Sequence, residues 1–152
     1  MRQISVVAVI VSWVVDIGGT SLAGGIFVAW ALFSGRVSAE VASDSTALTN
    51  DPQVGPALMA IGMAFSVIAG LVAGLIAKRA FILHGVLSAA AATVLGLFAL
   101  PVALQTQPFW MVLVGFVGGP VAGAAGGYLA SRQARRNAEL DPYGGVAQPP
   151  AA

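Results

Sequence analysis

Asp16 is the residue of this chain whose type and setting could do chemistry. It sits in VVDIGGTSLAGG, residues 14–25, inside a long apolar run, with Ser12 one helical turn before it and Thr20 one turn after. Ser12, Asp16, Gly19, Thr20 and Ala23 recur at i, i+3 and i+4 spacings, so they share one small, polar helix face that should look toward other protein and away from lipid. A carboxyl near mid-membrane costs about 2.5–3.5 kcal/mol to insert. The helix still inserts, because Val6 to Val28 holds twelve Val, Ile, Leu or Phe residues, each contributing about 0.3–0.6 kcal/mol. Two roles fit such an acid. It could exchange a proton or hold a cation during transport, with Ser12 and Thr20 completing the site, or it could be a neutral acid hydrogen-bonded to a neighbouring helix.

Other chemistries lack their residues. Cysteine is absent, which removes thiolate nucleophiles, disulfides and sulfur-ligated metals. The single histidine, His84, has no spaced partner with which to bind zinc or iron, so no metal and no cofactor is expected. No nucleophile and base pair stands out, and the expectation is that the chain is not an enzyme. A net charge of +1 gives no basic face of the kind that neutralises phosphates, which excludes nucleic acid as a partner.

The elements that would position Asp16 are membrane helices. Of 152 residues 58% are hydrophobic and 9% charged, and the mean hydropathy is +0.90, a surface that only a bilayer solvates well. Four apolar segments of spanning length are read at residues 4–33, 56–77, 80–100 and 108–130. The expected fold is therefore an all-α membrane protein, a bundle of four transmembrane helices in residues 1–132, with a polar outer loop at 34–55 and a disordered cytoplasmic tail at 133–152. A short helix within that loop, around Ser38 to Leu48, is also expected. The first segment carries Arg2 ahead of its apolar run and "VSA" after it, but is far longer than the ~7–15 residues of a signal h-region, and is read as an uncleaved helix.

Charge orients the bundle. Arg2, Lys78, Arg79, Arg132, Arg135 and Arg136 fall on one side of a four-span arrangement and Arg36 alone on the other, which places both termini in the cytoplasm. Trp30 and Trp110 then lie at the outer interface and Tyr128 at the inner one, as belt residues. Lys78, Arg79, Arg132 and His84 are expected as further interface anchors, His84 as an anchor or cap within reach of headgroups. Trp13, inside the first span, fits no belt.

Small residues are expected to hold the helices together. Gly115, Gly119, Gly123 and Gly127 line one face of the last span, and Gly62, Ser66, Gly70 and Gly74 one face of the second. Such seams let backbones approach where no hydrophobic force drives association. Pro120 is expected to kink the last helix. Shifting the second span by 53 positions aligns AGLVAGLIAKR (69–79) with AGAAGGYLASR (122–132), which suggests a parallel repeat of two helix pairs.

The stretch AGLVAGLIAKRAFILHG, residues 69–85, resembles a pattern of small bacterial four-span membrane proteins of uncharacterised role: a small-residue seam, a basic helix end, then His-Gly opening the next helix. The resemblance implies a multi-pass protein of the bacterial inner membrane. VDIGGTSL, residues 15–22, resembles the first helix of small multidrug resistance transporters. That resemblance implies Asp16 as the coupling acid in a dimer of four-span subunits. The role expected from the sequence is a non-catalytic accessory or scaffold component, partnered by the bilayer and by a homo-oligomer or larger membrane complex. The alternative is a proton-coupled transporter of a small molecule or cation through Asp16.

Overall fold

The computed structural model describes residues 4–140, apart from the side chains of residues 91 and 95, and every regular element among them is helical. The expected beginning of the cytoplasmic side, with Arg2, and residues 141–152 of the expected tail lie outside the described residues. Six helices follow in order: α1 Val6–Phe33, α2 Ala39–Ser43, α3 Ser45–Asn50, α4 Val54–Ala77, α5 Phe81–Thr106 and α6 Phe109–Leu140. Helices α1, α4 and α6 are long and apolar enough to cross a membrane, and α5 makes a fourth if its two arms count as one span. Large apolar side chains, among them Val14, Leu22, Phe98 and Val121, point outward along the bundle, where only hydrocarbon would solvate them.

Local chemistry sets the boundaries. Ser5 caps α1, its hydroxyl accepting from the Ala8 N–H at 3.3 Å, one of the donors that a helix start leaves unpaired. The loop after α1 holds α2 and α3, within two residues of the expected short helix, and breaks at Asp44, whose carboxylate accepts from the Thr46 and Ala47 N–H groups. This loop is packed: Val37 is buried with Ala31 and Val54 among Phe27, Val41 and Leu48. Asn50 Nδ2 donates to the Thr106 carbonyl at 2.6 Å, tying the loop to the end of α5. Three residues reverse the chain between α4 and α5, which makes those helices antiparallel neighbours. The tight turn puts two non-glycine residues in the left-handed region, Lys78 at φ 53° and Ala80 at φ 44°, at a cost of about 1–2 kcal/mol each.

Two expectations change. The third helix does not stop at Leu100 but runs through Pro101 to Thr106, bent by 58° between Phe81–Val94 and Gly96–Thr106. Gly96 and Pro101 are the weak points there, since Pro101 cannot donate to the Leu97 carbonyl and its ring crowds it. The break falls in α5, and the last helix runs on as one helix through Pro120. It also extends beyond Ala130 to Leu140, so residues 133–140 of the expected disordered tail are helical. Gln133, Ala134, Arg135 and Arg136 are strong helix formers and Arg135 stands four residues from Glu139, which favours continuation over fraying.

The two ends of the bundle differ in how they pack. Call the end with Lys78, Arg79 and Arg132 the basic end and the end with Arg36 and α2–α3 the loop end. Toward the basic end α4, α5 and α6 meet backbone to backbone. A Cβ on Gly70 would strike the Gly123 carbonyl, one on Gly126 the Val67 carbonyl, and one on Gly127 the Phe81 carbonyl, while one on Gly74 would lie 2.6 Å from Ala130 Cβ. Gly70 and Gly123, which the 53-residue shift makes equivalent, thus touch. Helix α1 packs on α4 and less extensively on α5, whereas α6 packs on both α4 and α5.

Candidate site in the splayed half of the bundle

Toward the loop end the same helices separate. Gly115 has nothing within 4 Å of its Cβ position, Gly119 only Ala89 Cβ at 3.9 Å, and Gly62 only Thr20 Cγ2 at 3.8 Å. Of the eight expected packing residues, Gly70, Gly74, Gly123 and Gly127 make the tight seam; Gly62, Ser66, Gly115 and Gly119 line a cavity of about 530 Å³ instead. The seam's other glycines are Gly85 of α5 and Gly126, which the four-residue spacing passes over.

All four long helices wall the cavity. Asp16 and Thr20 come from α1, Ser66 from α4, Thr93 and Gln107 from α5 and its end, and Phe116 from α6; Met59, Met63 and Met111 supply much of its apolar wall. Methionine is unbranched and polarisable, so such a wall adapts to the outline of a small molecule.

Asp16 is 6% exposed. The Ser66 hydroxyl donates to its Oδ1 at 3.2 Å and approaches Oδ2 at 3.5 Å. No other side-chain hydrogen bond to Asp16 is formed among the described residues. A carboxylate has about four lone-pair sites, so one hydroxyl leaves most of its accepting capacity turned to the cavity. Thr93 bonds back to the Ala89 carbonyl at 3.1 Å and leaves its hydroxyl oxygen free to accept.

The other expected site residues divide. Thr20 joins Asp16 on the cavity wall. Ser12 is fully buried but is not on that wall, and its hydroxyl donates to the Val9 carbonyl of its own helix at 2.7 Å. Ser66 was read as a packing residue; it is the polar partner of the acid. A hydroxyl in an otherwise Gly and Ala row was the available signal.

Two polar groups lock α1 to α5. His84 is 0% exposed and so is no interface anchor, correcting the expectation that it reaches headgroups. Its Nε2 accepts from the Ser5 backbone N–H at 3.0 Å, and its Nδ1 faces the Ala80 carbonyl at 3.1 Å. The two partners dictate the tautomer: a backbone N–H can only donate and a carbonyl only accept, so the proton sits on Nδ1. The expected capping role survives in this form, at the start of α1. Trp13, without a place in the belt, donates from Nε1 to the Leu87 carbonyl at 3.3 Å. At the ends, Trp30 is half exposed with the Arg36 guanidinium 4.8 Å over its ring, Trp110 is half exposed, and Arg132 lies 6.0 Å over Tyr128. Lys78 and Arg79 are exposed on the α4–α5 turn.

Comparison with models of known families, with curated proteins and with solved structures gives no match over this chain.

Proposed function

We propose that this chain is a four-span carrier of the bacterial inner membrane, with both termini in the cytoplasm, that admits a small cationic molecule to its cavity and exchanges it for a proton at Asp16. The observation that carries the reading is Asp16 itself: a buried carboxyl with one hydroxyl partner, set in an apolar cavity large enough for a small organic molecule. A group that can bind either a proton or a cation, with no fixed cation beside it among the described residues, is what exchange requires. The two arms of α5 count as one bent span in this reading. The 2+2 parallel repeat is supported by the contact of Gly70 with Gly123, while the packing of α4 on α5 has no equal between α1 and α6. Basic residues at one end and Arg36 at the other support the orientation.

Proteoliposomes of the full chain test the proposal. With an imposed pH gradient, tetraphenylphosphonium uptake coupled to proton efflux is expected from the natural protein and is expected to vanish in Asp16→Asn. Flux that Asn leaves intact, or a natural protein that moves neither ion, rejects it. Because the chain has no cysteine, single cysteines at Ser43 and Ser131 report orientation; an impermeant thiol reagent applied to cells should label the first and not the second.

A second reading, the accessory or scaffold role, draws on α1. Gly18 and Gly25 are exposed with open space at their Cβ positions, on the outer surface of the bundle, and a second helix could approach there closely. Gly25→Leu should then dissociate an oligomer or complex in mild detergent, and an unchanged particle size counts against it.

A further inference from the structure

The basic end of α6 carries a second concavity, separate from the Asp16 cavity and of about 410 Å³. Its walls are Tyr128, Ser131, Arg132, Arg135 and Arg136 of α6, with Ile82 of α5 opposite and Glu139 at the far rim. At 100° per residue these six α6 positions fall within about 140° of arc, so one helix face presents three guanidinium groups together. Three arginines against one glutamate leave the groove cationic.

The groove is also amphipathic along the membrane normal. On its membrane side Ile82 and Tyr128 wall the groove and are about half exposed, and Leu129, one helical turn before Arg132 on α6, is half exposed too, so apolar surface adjoins the charged one. Arg132 leans back over the Tyr128 ring at 6.0 Å, holding one guanidinium at the level where hydrocarbon gives way to headgroup. The extension of α6 to Leu140 lifts Arg135 and Arg136 one turn further out. Guanidinium groups match phosphate oxygens in forked, paired hydrogen bonds, and basic pockets beside helices at this level suit anionic headgroups. A free phosphate would use the arginines but not the apolar wall below them; a phospholipid uses both.

We infer that this groove is a binding site for an anionic phospholipid, its phosphodiester among Arg132, Arg135 and Arg136 and an acyl chain along Ile82 and Leu129. The site is independent of transport through Asp16. It makes the extended end of α6 a lipid-holding element of the leaflet at the basic end.

Native mass spectrometry of the full chain in a mild detergent tests it, with phosphatidylglycerol and phosphatidylcholine of identical acyl chains as probes. Phosphatidylglycerol should be retained about tenfold better. Arg135→Gln with Arg136→Gln, both exposed and remote from the helix seam, should bring the two lipids within about twofold, and Arg132→Gln alone should lower the preference partway. Lys78→Gln with Arg79→Gln removes the same charge from the same end but outside the groove, and should leave the preference standing. Equal retention of the two lipids overturns the inference. So does a preference that survives the arginine changes, or one that the Lys78 and Arg79 changes abolish equally. Inorganic phosphate at millimolar concentration should not displace the lipid; full displacement would mark a free-anion site and overturn the lipid assignment.

Discussion

Gly85 of α5 and Gly123 of α6 face each other so closely that a Cβ on either would strike the carbonyl of the other. A Cβ on Gly70 of α4 would strike the same Gly123 carbonyl. Three helices are therefore joined at one residue by backbone contact, without any side chain between them. Gly123→Ala should destabilise the bundle by about 1–3 kcal/mol, read as thermal unfolding in detergent by tryptophan fluorescence. Gly115→Ala, in open space eight residues earlier, should change stability by less than ~0.5 kcal/mol.

The open space at Gly115 offers a test of the proposed exchange. Gly115→Leu should fold normally and fill part of the cavity beside Asp16. Cation flux in proteoliposomes should then fall at least about tenfold, since a lost ~1.4 kcal/mol of binding suffices for that. Unaltered flux would count against exchange through this cavity.

Asp16 and Ser66 should be weakly coupled in stability. Hydrogen bonds between membrane helices average about 0.6 kcal/mol and reach about 1.7. A double-mutant cycle of Asp16→Asn and Ser66→Ala, followed by reversible unfolding in detergent, should fall in that range. Asp16→Asn should thus fold while losing flux, which separates a role in exchange from one in assembly.

His84 is a hydrogen-bond bridge that reaches from α5 to the first residues of α1. His84→Leu leaves the part-buried Ser5 N–H unpaired and should cost about 1–2 kcal/mol. His84→Gln offers an amide oxygen near the position of Nε2 and should restore most of it. Hydrogen exchange at the start of α1 is the direct measurement: fast in the Leu variant, slow in the natural protein and the Gln variant.

The all-helical fold and the presence of several helices long and apolar enough to cross a membrane were legible in the sequence, because length and apolarity alone decide them. Asp16 and Thr20 on a common inward face followed from helical spacing. Spacing did not distinguish Gly123, whose carbonyl meets both Gly70 and Gly85, from Gly115, which has open space at its Cβ position; that depends on where helices diverge, and the bend in α5 has no unique sequence mark beyond Gly96 and Pro101. His84 was misread for a related reason. Its distance from Arg79 suggested the surface, but burial depends on α1, whose start lies 79 residues away in the chain at Ser5.

The glycine knot at Gly123 also grades tolerance to change by depth. Backbone wedged against backbone has no rotamers with which to absorb an added methyl, so the basic-end half behaves as a rigid pivot that drift can scarcely touch. The methionine-walled half can be recarved one residue at a time without loosening that pivot. A lineage built on this chain could therefore change what it accommodates far faster than it could change its shape.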